Sequence, residues 1–206
     1  KLRKGGYDGK GVVKLANPVN LEKAFDAPSV LERLVDFDKE LSVIVARNES
    51  GETKCFPVVE CEFNPQANLV EFLFSPANIK KSVEKEALKI AQSVAEKLGI
   101  VGLLAVELFL TKEGQVLVNE VAPRPHNSGH HTIEANVTSQ FEQHLRAILN
   151  LPLGDTSRVR AGVMVNLLGE PGFEGVAIYK GMEDVLKFSG VYIHLYGKGL
   201  TKPFRK

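Results

Sequence analysis

The strongest constraint on the fold of this 206-residue chain is a pair of short apolar runs, residues 102–110 and 116–121, separated by Lys112-Glu113-Gly114-Gln115. Two such runs around a glycine-containing turn predict a β-hairpin. With Glu113-Gly114 as the two turn residues, Lys112 faces Gln115, and counting outward places Glu107 opposite Glu120. Directly opposed side chains of an antiparallel pair have Cβ atoms about 4.5–5.5 Å apart on one face. Two carboxylates held so, among Leu108, Phe109, Val118 and Val121, repel and are costly. A hard divalent cation removes the conflict, and carboxylates bridging Mg²⁺ to nucleotide phosphates is the arrangement this chemistry favours. Asn119 adds a neutral oxygen. A register slipped by one residue, or glutamates facing solvent, is the alternative the spacing leaves open.

The elements around the hairpin predict an α+β fold with neighbouring antiparallel strands. Residues 11–16 form a short apolar run leading out of a turn, and residues 21–25 a short helix capped by Asn20. Strands are predicted over 30–35, 41–46, 56–63 and 69–74, with turns at 49–52 and 64–68. Cys55 and Cys61 then share one extended strand, roughly 20 Å apart and beyond disulfide reach. They are expected as reduced thiols. Residues 79–98 predict an amphipathic helix with Ile79, Val83, Ala87, Ile90, Val94 and Leu98 inward, capped by Asn78 and ended by Gly99. A second helix is predicted over 140–149, with Phe141, Leu145 and Ile148 inward. Short strands over 162–168 and 191–196 follow, and the change of texture sets a boundary near Asp155, dividing the chain into 1–155 and a small β-rich subdomain, 156–206.

Charge restricts the partners. Lys and Arg number 26 against 25 Asp and Glu, and 44% of residues are hydrophobic, enough for a packed core. A single-sign field of the kind that grips nucleic acid or an anionic membrane is missing on average. No apolar run reaches the roughly 18 residues of a membrane span. No charged-then-apolar leader opens the chain, so the reading is a cytoplasmic protein without nucleic-acid or membrane partners. The chain starts at Lys1 without Met, inside a glycine-rich segment, which reads as part of a longer protein.

Two loops carry the remaining chemistry. The opening segment, with Gly5, Gly6, Tyr7, Asp8, Gly9, Lys10 and Gly11, supplies glycines whose N–H groups can converge and lysines beside them, which suits a polyphosphate. A flexible turn with solubilising lysines is the competing reading, and the Gly-Lys-Ser/Thr ending of a P-loop is lacking. Directly after the hairpin, residues 121–132 present Arg124, His126, Asn127, Ser128, His130 and His131 between prolines and a glycine. This rigid donor-rich loop suits an anionic or polyhydroxylated substrate. Zinc on the three histidines ranks below a hard cation, since no cysteine lies near and no helix sets their spacing.

Taken in order, residues 5–11, the stretch Asn119-Glu120-Val-Ala-Pro-Arg124-Pro-His-Asn-Ser-Gly-His130, and Ser139-Gln-Phe-Glu-Gln-His-Leu-Arg-Ala147 resemble the ATP-grasp N5-carboxyaminoimidazole ribonucleotide synthetases, or the equivalent domain of fused fungal phosphoribosylaminoimidazole carboxylases. The resemblance implies an ATP-grasp fold of antiparallel sheet and packed helices. It also implies a carbon–nitrogen ligase, or a carboxylase if fused, that uses ATP, Mg²⁺ and bicarbonate to carboxylate 5-aminoimidazole ribonucleotide through carboxyphosphate. By the same resemblance Lys1 and the loop Gly6 to Val12 serve the ATP phosphates. Glu32, Arg33, Leu34 and Val35 read the adenine on an edge strand, Glu40 holds the ribose, and Asn119 joins the nucleotide site. Glu107 and Glu120 match the magnesium ligands. Arg124 is the catalytic candidate, with Asn127 and Ser128 lining the bicarbonate and ribonucleotide side, and Lys202 and Arg205 holding the ribonucleotide phosphate. A homodimer is implied as well. Phe63 stands where many members carry a His, and Val12 where a Gln is common. A chain lacking the family's N-terminal domain and first central segment, and stopping before its usual Gly-His stretch, is expected to have little activity alone. Another ATP-grasp ligase or carboxylase, or a non-catalytic nucleotide-binding fragment, are the rival readings.

Overall fold

The computed structural model describes residues 1–5, 11–15, 18–64 and 69–205. Gly6, Tyr7, Asp8, Gly9 and Lys10 of the predicted phosphate loop, and most of the turn at 64–68, lie outside the described residues.

The hairpin logic extends across one antiparallel sheet. Its strands are β1 (Phe37–Arg47), β2 (Thr53–Cys55), β3 (Val59–Asn64), β4 (Leu69–Ser75), β5 (Gly102–Thr111), β6 (Val116–Ala122) and β7 (Gly162–Val165). The order is β6-β5-β1-β3-β4-β7, with β2 also paired to β1. Buried on both faces, β1 and β5 read as near-continuous apolar runs rather than alternating ones. On one face Leu41, Val43 and Val45 meet Leu104, Val106, Leu108 and Leu110 beneath helix α1 (Lys81–Lys97). The helix presents Ala87, Ala91 and Ala95, all fully buried, and this small-residue stripe lets its backbone lie close to the sheet. The opposite face carries Ile44, Ala46, Leu103 and Ala105, packed with Phe56, Ala147 and Leu153.

Of the predicted strand 56–63 only the part from Val59 forms, as β3, while the preceding strand β2 ends at Cys55. Pro57 has no N–H to give to a ladder, so pairing with β1 ends after the Phe56 N–H donates to the Ile44 carbonyl (2.8 Å) and resumes at Val59. Cys55 and Cys61 therefore lie on different strands, both beside β1, and are not joined to each other by a disulfide. Helix α1 starts two residues later than predicted, because the Asn78 N–H donates to Glu60 Oε2 (3.1 Å) on β3 instead of leading into the helix. Gly99, at φ +60°, takes the left-handed conformation just past its end. The predicted helix 21–25 is a 3-10 helix, Pro18–Lys23, which opens on the proline.

No strand forms over 30–35. The segment is largely exposed, Leu31 at 90%, and among the described residues its backbone pairs only at Val30, with Lys1; β1, the strand it leads into, is already flanked by β5, β2 and β3. Residues 11–15 are likewise irregular. Helix α3 (Gln140–Ile148), opened by Ser139 Oγ accepting from the Glu142 N–H (3.2 Å), is turned opposite to its apolar periodicity. Gln140, Gln143 and Ala147 face inward, while Phe141, Leu145 and Ile148 are exposed. The physical reason lies in what α3 packs on: a loop whose backbone N–H and C=O groups need partners.

Beyond β7, which pairs with β4, residues 166–205 hold a one-turn helix, Met182–Val185, and a two-stranded ladder of β8 (Gly175–Val176) and β9 (Leu200–Thr201). The predicted strand 191–196 is irregular and exposed, with no neighbouring strand among the described residues. No helix among the described residues is long and apolar enough to cross a membrane.

Candidate functional site

Glu107 and Glu120 are directly paired across β5 and β6, though not by the predicted route. The turn is one residue wider: the Thr111 N–H donates to the Gln115 carbonyl (2.9 Å), and Gly114 sits at φ +86°. From there Leu110 pairs with Val116 and Leu108 with Val118, a register that would pair Glu107 with Asn119. A β-bulge absorbs Asn119 as an extra residue and restores the pairing of Glu107 with Glu120. The bulge re-aims the carboxylate-bearing end of β6 onto the face where Glu107 lies.

That face belongs to β1 as well. Ser42 lies opposite Glu107, and Glu40 stands two residues along, on the same side. The Glu40 carboxyl is pushed up to about 7 by burial, and then by the charges of Glu107 and Glu120. Three carboxylates therefore share one field. One cation and one imidazole answer it: Lys1 Nζ lies 3.1 Å from Glu120 Oε2 and 3.8 Å from Glu32 Oε2, and His126 Nε2 lies 3.3 Å from Glu107 Oε1. The imidazole is charged only when protonated. Its other nitrogen lies 2.9 Å from Ser128 Oγ, which is 2.7 Å from Ser42 Oγ. A polar chain thus runs from the buried strand β1 through Ser128 and His126 to Glu107.

The loop after β6 is not wholly irregular. It contains a 3-10 turn, Asn127–Gly129, and helix α2 (Thr132–Ala135), because a helical turn begins once Pro125 is passed. Its three histidines point apart: His126 to Glu107, His130 to Gln140 and onto the Phe141 ring, His131 into the interior. Among the described residues no group of three or more His, Cys, Asp or Glu side chains is arranged to hold a metal. The pair Glu107 and Glu120 does fit a hard cation such as Mg²⁺, which takes one or two carboxylates and completes its octahedron with water and phosphate oxygen.

The other predicted residues divide into those gathered here and those lying apart. Lys1, Glu32, Glu40, Glu107, Glu120 and Ser128 are linked by the contacts above. Asn119 is the bulge residue. Arg33, Leu34 and Val35 lie in the exposed irregular segment before β1, so they form no edge strand for a base. Gly11, at φ +103°, accepts at its carbonyl from the Leu2 N–H (2.7 Å). Arg124 is exposed and donates to the Pro125 carbonyl (3.1 Å). Asn127 is locked amide to amide with Asn166, at 2.8 Å in both directions. Lys202 pairs with Glu174 (2.6 Å), and the Arg205 carbonyl accepts from the Gly169 N–H (2.9 Å), both in the C-terminal segment.

Sequence reasoning missed Asn166, Ser42 and Gln140. Asn166 anchors Asn127 by also donating to the Val70 carbonyl (2.6 Å). Ser42 is a hydroxyl inside the apolar run of β1, and that interruption is a usable signal. Gln140 is fully buried at the start of α3, where periodicity had placed it outside.

Comparison with known proteins gives two matches along the chain: residues 1–141 match the ATP-grasp domain, and residues 162–206 match the phosphoribosylaminoimidazole carboxylase C-terminal domain. The N5-carboxyaminoimidazole ribonucleotide synthase of Bacillus subtilis is 44% identical over 211 residues, covering 100% of this chain and 53% of that protein. The crystal structure of N5-carboxyaminoimidazole ribonucleotide synthetase from Thermotoga maritima superposes with a TM-score of 0.90 at 50% identity, over 100% of this chain and 54% of that one. That of N5-carboxyaminoimidazole synthase from Aspergillus clavatus, in complex with ADP and 5-aminoimidazole ribonucleotide, gives 0.82 at 34% identity, over 92% of this chain and 50% of that one. The chain spans about half the length of these relatives.

Proposed function

Because the chain belongs to the ATP-grasp family, we propose that it forms part of a ligase that carboxylates the amine of 5-aminoimidazole ribonucleotide with ATP and bicarbonate, giving the N5-carboxyamino product in purine biosynthesis. One observation carries this reading beyond the family: a cross-strand carboxylate pair, Glu107 and Glu120, leads directly into the loop that carries Arg124, Asn127 and Ser128. The first suits a nucleotide–metal complex and the second the small anion and ribonucleotide that must meet it.

In this reading a bicarbonate oxygen attacks the γ-phosphorus, the bond to the β–γ bridging oxygen breaks, and ADP leaves carboxyphosphate behind. The amine nitrogen then bonds to the carboxyl carbon, phosphate departs with the C–O electron pair, and the nitrogen loses a proton. Little covalent chemistry falls to the protein, so its residues act by position and charge. Lys1, Gly6, Tyr7, Asp8, Gly9, Lys10 and Gly11 cradle the phosphates. Glu32 and residues 33–35 face the base, Glu40 the ribose hydroxyls, and Asn119 joins them. Glu107 and Glu120 would hold Mg²⁺, which when bound neutralises phosphate charge and polarises the transferred group. Arg124 stabilises the anion that reacts, Asn127 and Ser128 orient it, and Lys202 and Arg205 take the ribonucleotide's phosphate. The same proposal includes a division near residue 155, a homodimer and a cytoplasmic location.

The test is phosphate release by the native protein. Turnover should require 5-aminoimidazole ribonucleotide and bicarbonate together, with none when glycinamide ribonucleotide and formate replace them. Turnover with the second pair alone would assign the chain to a different ATP-grasp ligase, and none with either would favour a non-catalytic nucleotide-binding module.

A further inference from the structure

The residue that fixes the donor loop lies neither in the loop nor on the sheet. Gln140, fully buried at the start of α3, accepts at Oε1 from the His126 N–H (2.9 Å) and donates from Nε2 to the His126 carbonyl (2.8 Å). Its amide nitrogen also lies 2.8 Å from His130 Nδ1. Both backbone polar atoms of one residue are therefore held by one side chain, and this clamps His126 in its extended conformation, φ −128°, ψ 152°. The clamp is reinforced from below. The Gln140 N–H donates to Thr132 Oγ1 (2.8 Å), whose hydroxyl donates to the Gly129 carbonyl (2.5 Å). It is also fitted tightly, since a Cβ at Gly129 would overlap the Gln140 amide.

The clamped residue matters because of where its imidazole reaches. His126 spans Ser128 Oγ on one side and Glu107 Oε1 on the other, joining the donor loop to the carboxylate pair. A rotation of its backbone would break both contacts and carry Arg124, Asn127 and Ser128 with it. We propose that Gln140 is a positioning residue for the carboxylation site, setting the donor loop against the carboxylate pair by clamping the backbone of His126. This rests on the reading under Proposed function.

The same helix supplies the control. Gln143 is equally buried, and its amide likewise clamps one residue, donating to the Gly154 carbonyl (3.1 Å) and accepting from the Gly154 N–H (2.8 Å), away from the donor loop. Gln140→Met and Gln143→Met in the native protein thus remove matched buried amides. In Gln140→Met, kcat/KM for 5-aminoimidazole ribonucleotide should fall roughly 10- to 100-fold, as when a partner that orients a reacting group is lost. KM for ATP should stay within about twofold, and in Gln143→Met both parameters should. Amide hydrogen exchange at His126 should accelerate in the first variant and not in the second. Unchanged kcat/KM in Gln140→Met, or equal losses in both variants, would overturn the proposal. Hydrogen exchange needs no substrate, so an unmodified protein without carboxylation activity would refute the functional reading while the exchange comparison still decides the clamp. If Gln140→Met does not fold, Gly129→Ala displaces the same amide, and the same pair of outcomes applies.

Discussion

Replacing His131 by leucine should make the protein more resistant to acid. His131 is 7% exposed, and neither ring nitrogen has a hydrogen-bond partner among the described residues. Burial pushes its imidazole down to about 4 from 6.5, the Ser128 backbone only partly opposing and the neighbouring His130 acting in the same direction. The folded protein therefore holds this ring neutral at a pH where the unfolded chain protonates it. The sign follows: the unfolded state binds more protons between about pH 6.5 and 4, so stability is complete above 6.5 and is lost as the pH falls toward 4. Between pH 7 and 4.5 the loss attributable to this one group is about 2 kcal/mol, from a pKa displacement worth about 1.4 kcal/mol per pH step. Glu40, raised to about 7 in the fold, works in the opposite direction over the same interval, but it is present in both proteins and drops out of the difference. The assay is urea unfolding of the wild type and His131→Leu at both pH values. The wild type should lose about 2 kcal/mol more than the variant on going to pH 4.5. Parallel losses would show that His131 is either solvated or paired in the folded state, and the reasoning from burial would fail.

Two further outcomes follow from the same contacts. Glu120→Gln removes one carboxylate of the pair and the ion pair with Lys1, so calorimetric titration with ATP should lose most of its dependence on Mg²⁺; an unaltered dependence would remove Glu120 from the metal assignment. Cys55, whose thiol is pushed up to about 11 by burial and by Glu96, should react with iodoacetamide at pH 8 roughly 100-fold more slowly in the folded than in the unfolded chain, and equal rates would contradict its burial.

The carboxylate pair was legible because strand pairing transmits register over distance, but its success conceals two compensating features. A turn one residue wider than Glu113-Gly114 shifts every pair near it, and the bulge at Asn119 shifts the remainder back. Local turn chemistry cannot reveal such a bulge, since it is dictated by which face Glu120 must reach. The strand predicted at 30–35 fails for a related reason. Its residue types suit a strand, yet a strand exists only where another leaves an unpaired edge, and that information lies in the topology rather than in the segment. Pro57, by contrast, was readable in place: a residue without an N–H inside a supposed central strand argues for two strands.

Helix α3 shows where periodicity itself misleads. Phe141, Leu145 and Ile148 mark one side as apolar, and the rule that the apolar side faces inward presumes an apolar neighbour. Ala147 reaches the sheet-side core, and His144 and Ile148 lie beside Gly102 at the start of β5; the start of α3 and Gln143 cover the turns at 126–132 and 151–154, whose reversals leave backbone groups without ladder partners. Burying those groups unpaired would cost about 1–3 kcal/mol each, comparable to what burying a leucine contributes, so two glutamines that each satisfy two of them win the inward positions. A helix that packs on functional loops is therefore read better from the hydrogen-bonding capacity its inner face must supply than from its hydrophobic stripe, and on that criterion Gln140 and Gln143 are the residues of α3 that a sequence should offer first.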